Sequence, residues 1–101
     1  MIVVNARIES DPESIDALKS AIVDMEVATM KEEGCDEYSF SVELSDPSVL
    51  RVTERWRDSE ALAEHMDSAH MKTFRDAMLS HPPKGMNARF YEATEISPPS
   101  L

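Results

Sequence analysis

Two histidines five residues apart, His65 and His70, share the stretch ERWRDSEALAEHMDSAH (residues 54–70) with Trp56 and Glu54. Imidazole takes and returns a proton near neutrality, and a carboxylate held against it fixes its tautomer and orientation. A Glu–His pair is therefore a base with an orienter, the arrangement used in general acid–base catalysis. Leu62, His65 and Met66 fall at i, i+3 and i+4, which puts His65 on the buried stripe of a helix. Strand alternation puts Glu54 and Trp56 on the same inner face as Leu50 and Val52. A buried carboxylate needs a partner. His65 is one choice for Glu54, and a rim arginine such as Arg89 is the other. His65 reads either as a base or as a hydrogen-bonded core residue. Trp56 reads either as an aromatic wall or as a large residue closing the core.

Tyr38 and Phe40 project into the same interior, and Phe74 joins it from a later helix with Met71 and Met78. Such aromatic and methionine surfaces suit a planar ligand and suit a plain core equally well. A cavity walled by Trp56, Tyr38 and His65 would favour the ligand. His70 flanks Met71 and falls at the edge of this space. On a continuous helix a spacing of five puts His65 and His70 on different sides, so no two-histidine metal site is expected. His81, beside Pro82 and Pro83, reads as loop. Cys35 reads as a buried structural thiol.

The elements that must position these side chains follow from periodicity. Ile2, Val4, Ala6 and Ile8 alternate with Val3, Asn5 and Arg7, predicting a strand with one apolar face. A helix starts at Ser10-Asp11-Pro12-Glu13, either with Asp11 as cap or through a Ser10–Glu13 capping box. Its stripe is Ile15, Leu18, Ile22, Met25 and Thr29, and Gly34 is its expected stop. A second strand turns Tyr38, Phe40, Val42 and Leu44 inward. Ser45-Asp46-Pro47-Ser48 supplies a hairpin turn into a third, which carries Leu50, Val52, Glu54 and Trp56. A helix follows from Asp58 or Ser59, Ser68 caps another, and a last strand turns Met86, Ala88 and Phe90 inward. The order strand, helix, strand, strand, split helix, strand predicts an α+β, ferredoxin-like fold: a four-stranded antiparallel sheet with helices on one face. Residues 1–96 form one domain, and residues 97–101 a disordered tail.

The chain has 101 residues and a formal charge of −10, from 20 acidic against 10 basic side chains. That balance argues against nucleic acid, whose phosphates call for clustered Lys and Arg, and against an anionic membrane surface. With one cysteine the chain forms no internal disulfide. No signal peptide or membrane span is read, so a reduced cytoplasmic location is expected.

The run Glu54-x-Trp56, Leu62-x-x-His65, Ser68-x-His70-x-x-x-Phe74 resembles the antibiotic biosynthesis monooxygenase family. Gly34-Cys35-x-x-Tyr38, the Asp46-Pro47 turn and Ala6-x-Ile8 match it too. The resemblance implies a dimeric α/β barrel, a homodimer in which two such sheets meet. It implies oxidation of a small quinol-like or polyphenolic substrate by molecular oxygen, with no cofactor. On that reading His65 handles the proton, Glu54 orients it, and Trp56, Tyr38, Phe40, Phe74 and His70 hold the ring. The chain departs from haem-degrading members: Arg75 stands where their axial histidine falls, and Ala6 where their strand-one asparagine falls. Other relatives isomerise a phosphorylated signalling metabolite, for which Arg89 and Lys84 are the basic candidates. A non-catalytic dimeric module binding a small molecule is the further alternative.

Overall fold

The apolar alternation at the N-terminus becomes β1 (Ile2–Glu9), with Ile2, Val4, Ala6 and Ile8 buried, in a computed structural model that describes residues 1–100. Then come α1 (Pro12–Met30), β2 (Cys35–Glu43), β3 (Asp46–Trp56), α2 (Ser59–Met66), α3 (Ala69–Ser80) and β4 (Gly85–Glu92). The strands form one antiparallel sheet in the order β2-β3-β1-β4, and the architecture is the expected α+β, ferredoxin-like one. Leu101, the end of the expected tail, lies outside the described residues.

Of the two helix starts open at α1, the structure uses Asp11: its carboxylate accepts from Ser14 N at 2.8 Å, with Pro12 in the first turn. Leu18, Ile22, Met25 and Thr29 are buried as the stripe requires. Helix α1 stops at Met30 with Lys31 as cap, before Gly34, which does not adopt a positive φ. What requires glycine at 34 is space, because a Cβ there would collide with the Cβ of Ala61 on α2. Arg57 N donates to Gly34 O at 2.8 Å, so the α1–β2 turn is bound directly to the start of α2. Gly34→Ala must push α2 away, and a loss of ~1–3 kcal/mol is expected, the usual range for overpacking. A urea midpoint within error of wild type would show that the contact yields freely.

Three expectations about side-chain placement need correction. The hairpin turn is Leu44–Ser45 rather than Ser45–Ser48, since Glu43 already pairs with Asp46, and the register shift beyond Val42 lets β3 start early. Leu44 is consequently in the turn and fully exposed instead of inward. On α2, Ala61 rather than Met66 accompanies His65 in the core, while Met66 is exposed. Most consequentially, β4 is an edge strand that the helices leave uncovered. Its pairing puts Phe90 beside Val4 and Met86 beside Ile8 as parity requires, yet they are 57 % and 67 % exposed. Helix α1 packs on α3 and over β2 and β3, and α2 packs on β3, so no helix lies over the fourth strand.

Candidate functional site

Helix α2 begins where Asp58 accepts from Ala61 N at 2.8 Å, which sets the rotation that turns His65 inward. The chain then breaks. The Ser68 hydroxyl donates to His65 O (2.7 Å) and accepts from Met71 N (3.2 Å), closing α2 and opening α3 at one residue. Arg75 ties the two helices by donating to Met66 O at 3.0 Å. Because of this break, His65 and His70 are not on two sides of a continuous helix. Their rings face each other with centroids 5.9 Å apart.

Between them stands Glu32, just beyond the end of α1. His65 Nδ1 donates to Glu32 Oε2 at 2.7 Å, and His70 Nε2 donates to the same oxygen at 2.8 Å. A carboxylate oxygen only accepts, so each facing nitrogen carries the hydrogen. Glu32 is held by its own backbone: its N–H reaches Thr29 O, and its carbonyl accepts from Cys35 N. Sequence reasoning missed Glu32. The run Lys31-Glu32-Glu33 reads as a solvated helix end, and only the need of two nearby imidazoles for a carboxylate could have pointed to it.

His65 is 1 % exposed and packs against Trp56 (ring centroids 4.6 Å apart), which is fully buried, and against Tyr38 (5.3 Å). Trp56 and Tyr38 both pack on the His65 ring, where a cavity walled by the three would have favoured a ligand. The partner of Glu54, left open between His65 and Arg89, is neither: Glu54 accepts the indole N–H of Trp56 at 2.9 Å. Burial holds its carboxyl above the ordinary carboxylate range, against the lowering by that hydrogen bond and by nearby His65. A carboxyl whose folded pKa lies above its unfolded value stabilises the fold fully only below the unfolded value. The contribution is lost as pH rises through the folded one. Glutamine keeps an oxygen for the indole and carries no charge. Glu54→Gln is therefore expected to gain stability relative to wild type as pH rises from about 4 to 7, across the carboxylate range. Paired urea titrations check this, and a difference that does not change with pH would contradict it.

Burial likewise raises the Tyr38 hydroxyl pKa and pushes the Cys35 thiol up to about 11, so neither is a ready nucleophile or base. Cys35 is buried with its Sγ 3.9 Å from the Met30 sulfur, as a structural thiol would be.

Open space lies beside this packed cage. A cavity of about 250 Å³ between α1 and α3 is lined by Met25, Ala28, His70, Thr73 and Phe74, with Ala21 and Asp24 also in its wall. A second, of about 440 Å³, lies between α1 and the β2–β3 hairpin, with Ile15, Ile22, Phe40 and Leu50 in its wall. Phe40 and Phe74 meet at 5.6 Å. Edge strand β2 is pinned there by Glu26, which accepts from Phe40 N at 2.8 Å. Of the residues expected to form the site, His70, Phe40 and Phe74 border cavities, while His65, Trp56 and Tyr38 form the wall behind. His70, 27 % exposed, is the triad imidazole that lines the smaller cavity.

No helix among the described residues is long and apolar enough to cross a membrane. The sequence pattern of the antibiotic biosynthesis monooxygenase family matches residues 1–77. Among solved structures, the chain is similar to a candidate antibiotic biosynthesis monooxygenase from Deinococcus radiodurans, at 25 % identity and a TM-score of 0.89, over 100 % of both chains. It is also similar to a conserved Methanosarcina mazei Go1 protein (28 %, TM-score 0.84, 92 % of each chain). A Mycobacterium tuberculosis protein shares the fold (24 %, TM-score 0.83, 96 % of this chain and 98 % of that one). A search of curated proteins finds no match.

Proposed function

The chain belongs to the antibiotic biosynthesis monooxygenase family, and we propose that it is a cofactor-independent monooxygenase of small quinol-like or phenolic substrates. The observation that carries this reading is the Glu32 carboxylate shared by His65 and His70, with His70 opening onto the cavity beside Phe74 and Met25. The hydrogen on His70 Nε2 is committed to Glu32, so Nδ1 is the basic nitrogen. It takes the phenolic proton, and the imidazolium that forms is stabilised by the carboxylate behind it. The electron-rich phenolate then passes one electron to oxygen, and the phenoxyl radical and superoxide combine at a ring carbon that bears hydrogen. The imidazolium returns its proton to the peroxide. Loss of the ring hydrogen as a proton makes the new carbonyl and breaks the O–O bond, and the outer oxygen leaves as water. One oxygen atom enters the quinone and one enters water. Ligand cavities usually hold ~300–1,000 Å³. A cavity of about 250 Å³ therefore suits one ring or two fused rings.

In this reading the proton acceptor is His70, and His65 and Glu32 position it. Trp56 with Glu54, and Tyr38, keep the wall dry and fixed; Phe74 flanks the ring, and Phe40 packs behind Phe74. The homodimer that the family resemblance implies is part of the proposal, with apolar surface for it at the uncovered Met86 and Phe90. The test is oxygen uptake by chelator-treated protein with one- and two-ring quinols and phenols under ¹⁸O₂. We expect one labelled atom in the quinone, and a fall in rate of ~10²-fold or more in His70→Ala, the scale of a lost general base. Binding of such phenols without oxygen uptake would instead mark a binding module. Undiminished uptake in both His70→Ala and His65→Ala would remove the histidines from the chemistry.

A further inference from the structure

Glu32, His65 and His70 each offer one ligand atom, and these three atoms lie within 4.8 Å of one another. They come from three elements: the turn after α1, the end of α2 and the first turn of α3. We propose that this triad is a binding site for a borderline divalent cation of the Zn²⁺ class. Its two imidazoles and one carboxylate are a donor set for zinc and its neighbours, whereas Mg²⁺ and Ca²⁺ take all-oxygen sets.

Each imidazole can meet the ion by moving its hydrogen to the other ring nitrogen, so that the nitrogen now facing Glu32 offers a lone pair. Bonds of ~2.0–2.1 Å in a tetrahedral arrangement put ligand atoms roughly 3.4 Å apart. The present separations of 2.7 and 2.8 Å are those of hydrogen bonds, so each imidazole nitrogen must move away from the carboxylate oxygen by ~0.6–0.7 Å. His65 is clamped between Trp56 and Tyr38 and acts as the fixed ligand. His70, 27 % exposed at the start of α3, supplies both the movement and the way in. Three protein ligands leave a coordination position for water or an outside ligand.

The site does not rest on the proposed reaction and excludes it while the ion is bound, since a hydrogen moved to His70 Nδ1 removes the base; binding is measured without turnover. The full chain, stripped with chelator, is dialysed against Zn²⁺ or Co²⁺ in excess Mg²⁺. The Mg²⁺ is needed because a chain of charge −10 gathers cations over its acidic surface. About one Zn²⁺ per chain is expected, with a visible Co²⁺ spectrum of tetrahedral type. Affinity should fall about tenfold or more in His70→Ala and Glu32→Gln and stay unchanged in His81→Ala. Near-UV circular dichroism verifies that each variant is folded. Should a variant not fold, NMR of the imidazole nitrogens of the wild-type chain on Zn²⁺ addition gives the answer. Shifts at His65 and His70 support the site. Shifts at His81 alone overturn it, as does uptake that Mg²⁺ abolishes or that the triad variants leave intact.

Discussion

Trp56→Ala is expected to cost about 3–5 kcal/mol of folding stability, the range for deleting a large buried aromatic. Two losses combine at this position. The ring is fully buried against His65, and its removal leaves a void where neighbours are already packed. The indole N–H is also the hydrogen-bond partner of Glu54, and an orphaned, partly buried carboxylate adds a desolvation penalty of its own. For a domain whose whole stability is ~5–15 kcal/mol, such a loss is a large fraction of the total. Trp56→Phe separates the two contributions, because it keeps most of the apolar contact and removes the donor. In a double-mutant cycle with Glu54→Gln, the cost of Trp56→Phe should shrink, since the neutral amide is cheaper to leave unpaired than the carboxylate. Urea titrations of the four proteins measure it. Strict additivity would mean that the charge of the carboxylate adds nothing to its bond with the indole.

How far this arrangement could be read from sequence depends on the range of the signal. The β1 alternation, the Asp11 and Ser68 caps and the helix-strand order are local patterns, and the structure follows them. Parity placed Glu54 and Trp56 on one face correctly, but parity cannot say which neighbour a side chain chooses. Residues two apart on a strand share a face, and Glu54 reaches along its own strand to Trp56. The spacing of His65 and His70 illustrates a conflict between two correct local rules. A cap at Ser68 starts a new helix, and the angle between positions five apart then has no helical meaning. Glu32 is the least legible. It lies 33 residues from His65 and 38 from His70, and no local pattern distinguishes it from Glu33. The exposure of Met86 and Phe90 is a matter of how far the helices extend over the sheet, which alternation along β4 does not encode.

Glu32→Gln is expected to lower kcat for oxygen uptake by ~10²–10⁴-fold, the contribution of a positioned acid–base group. The amide preserves the length and most of the volume of the side chain, so the turn after α1 and the packing of His65 should persist. What it removes is the negative charge between two imidazoles. Without that charge, the imidazolium formed when His70 takes the substrate proton loses its closest counter-ion. The amide also presents an N–H₂ as readily as an oxygen, so it no longer compels both rings to point a hydrogen at it. The defect therefore belongs to proton transfer rather than to binding. KM should change by no more than about twofold while kcat falls, the signature of a lost transition-state interaction. A structural role predicts otherwise: kcat, KM and melting temperature would change together, and the shape of the pH–rate profile would stay as in wild type. Positioning by Glu32 instead predicts that the limb governed by the base moves. Glu32→Asp retains the charge but withdraws it by about one C–C bond, ~1.5 Å. It cannot reach both rings at once, and its activity should fall between that of wild type and Glu32→Gln. Equal rates for Glu32→Gln and wild type would leave His70 without need of an orienter and would break the link between the triad and the reaction.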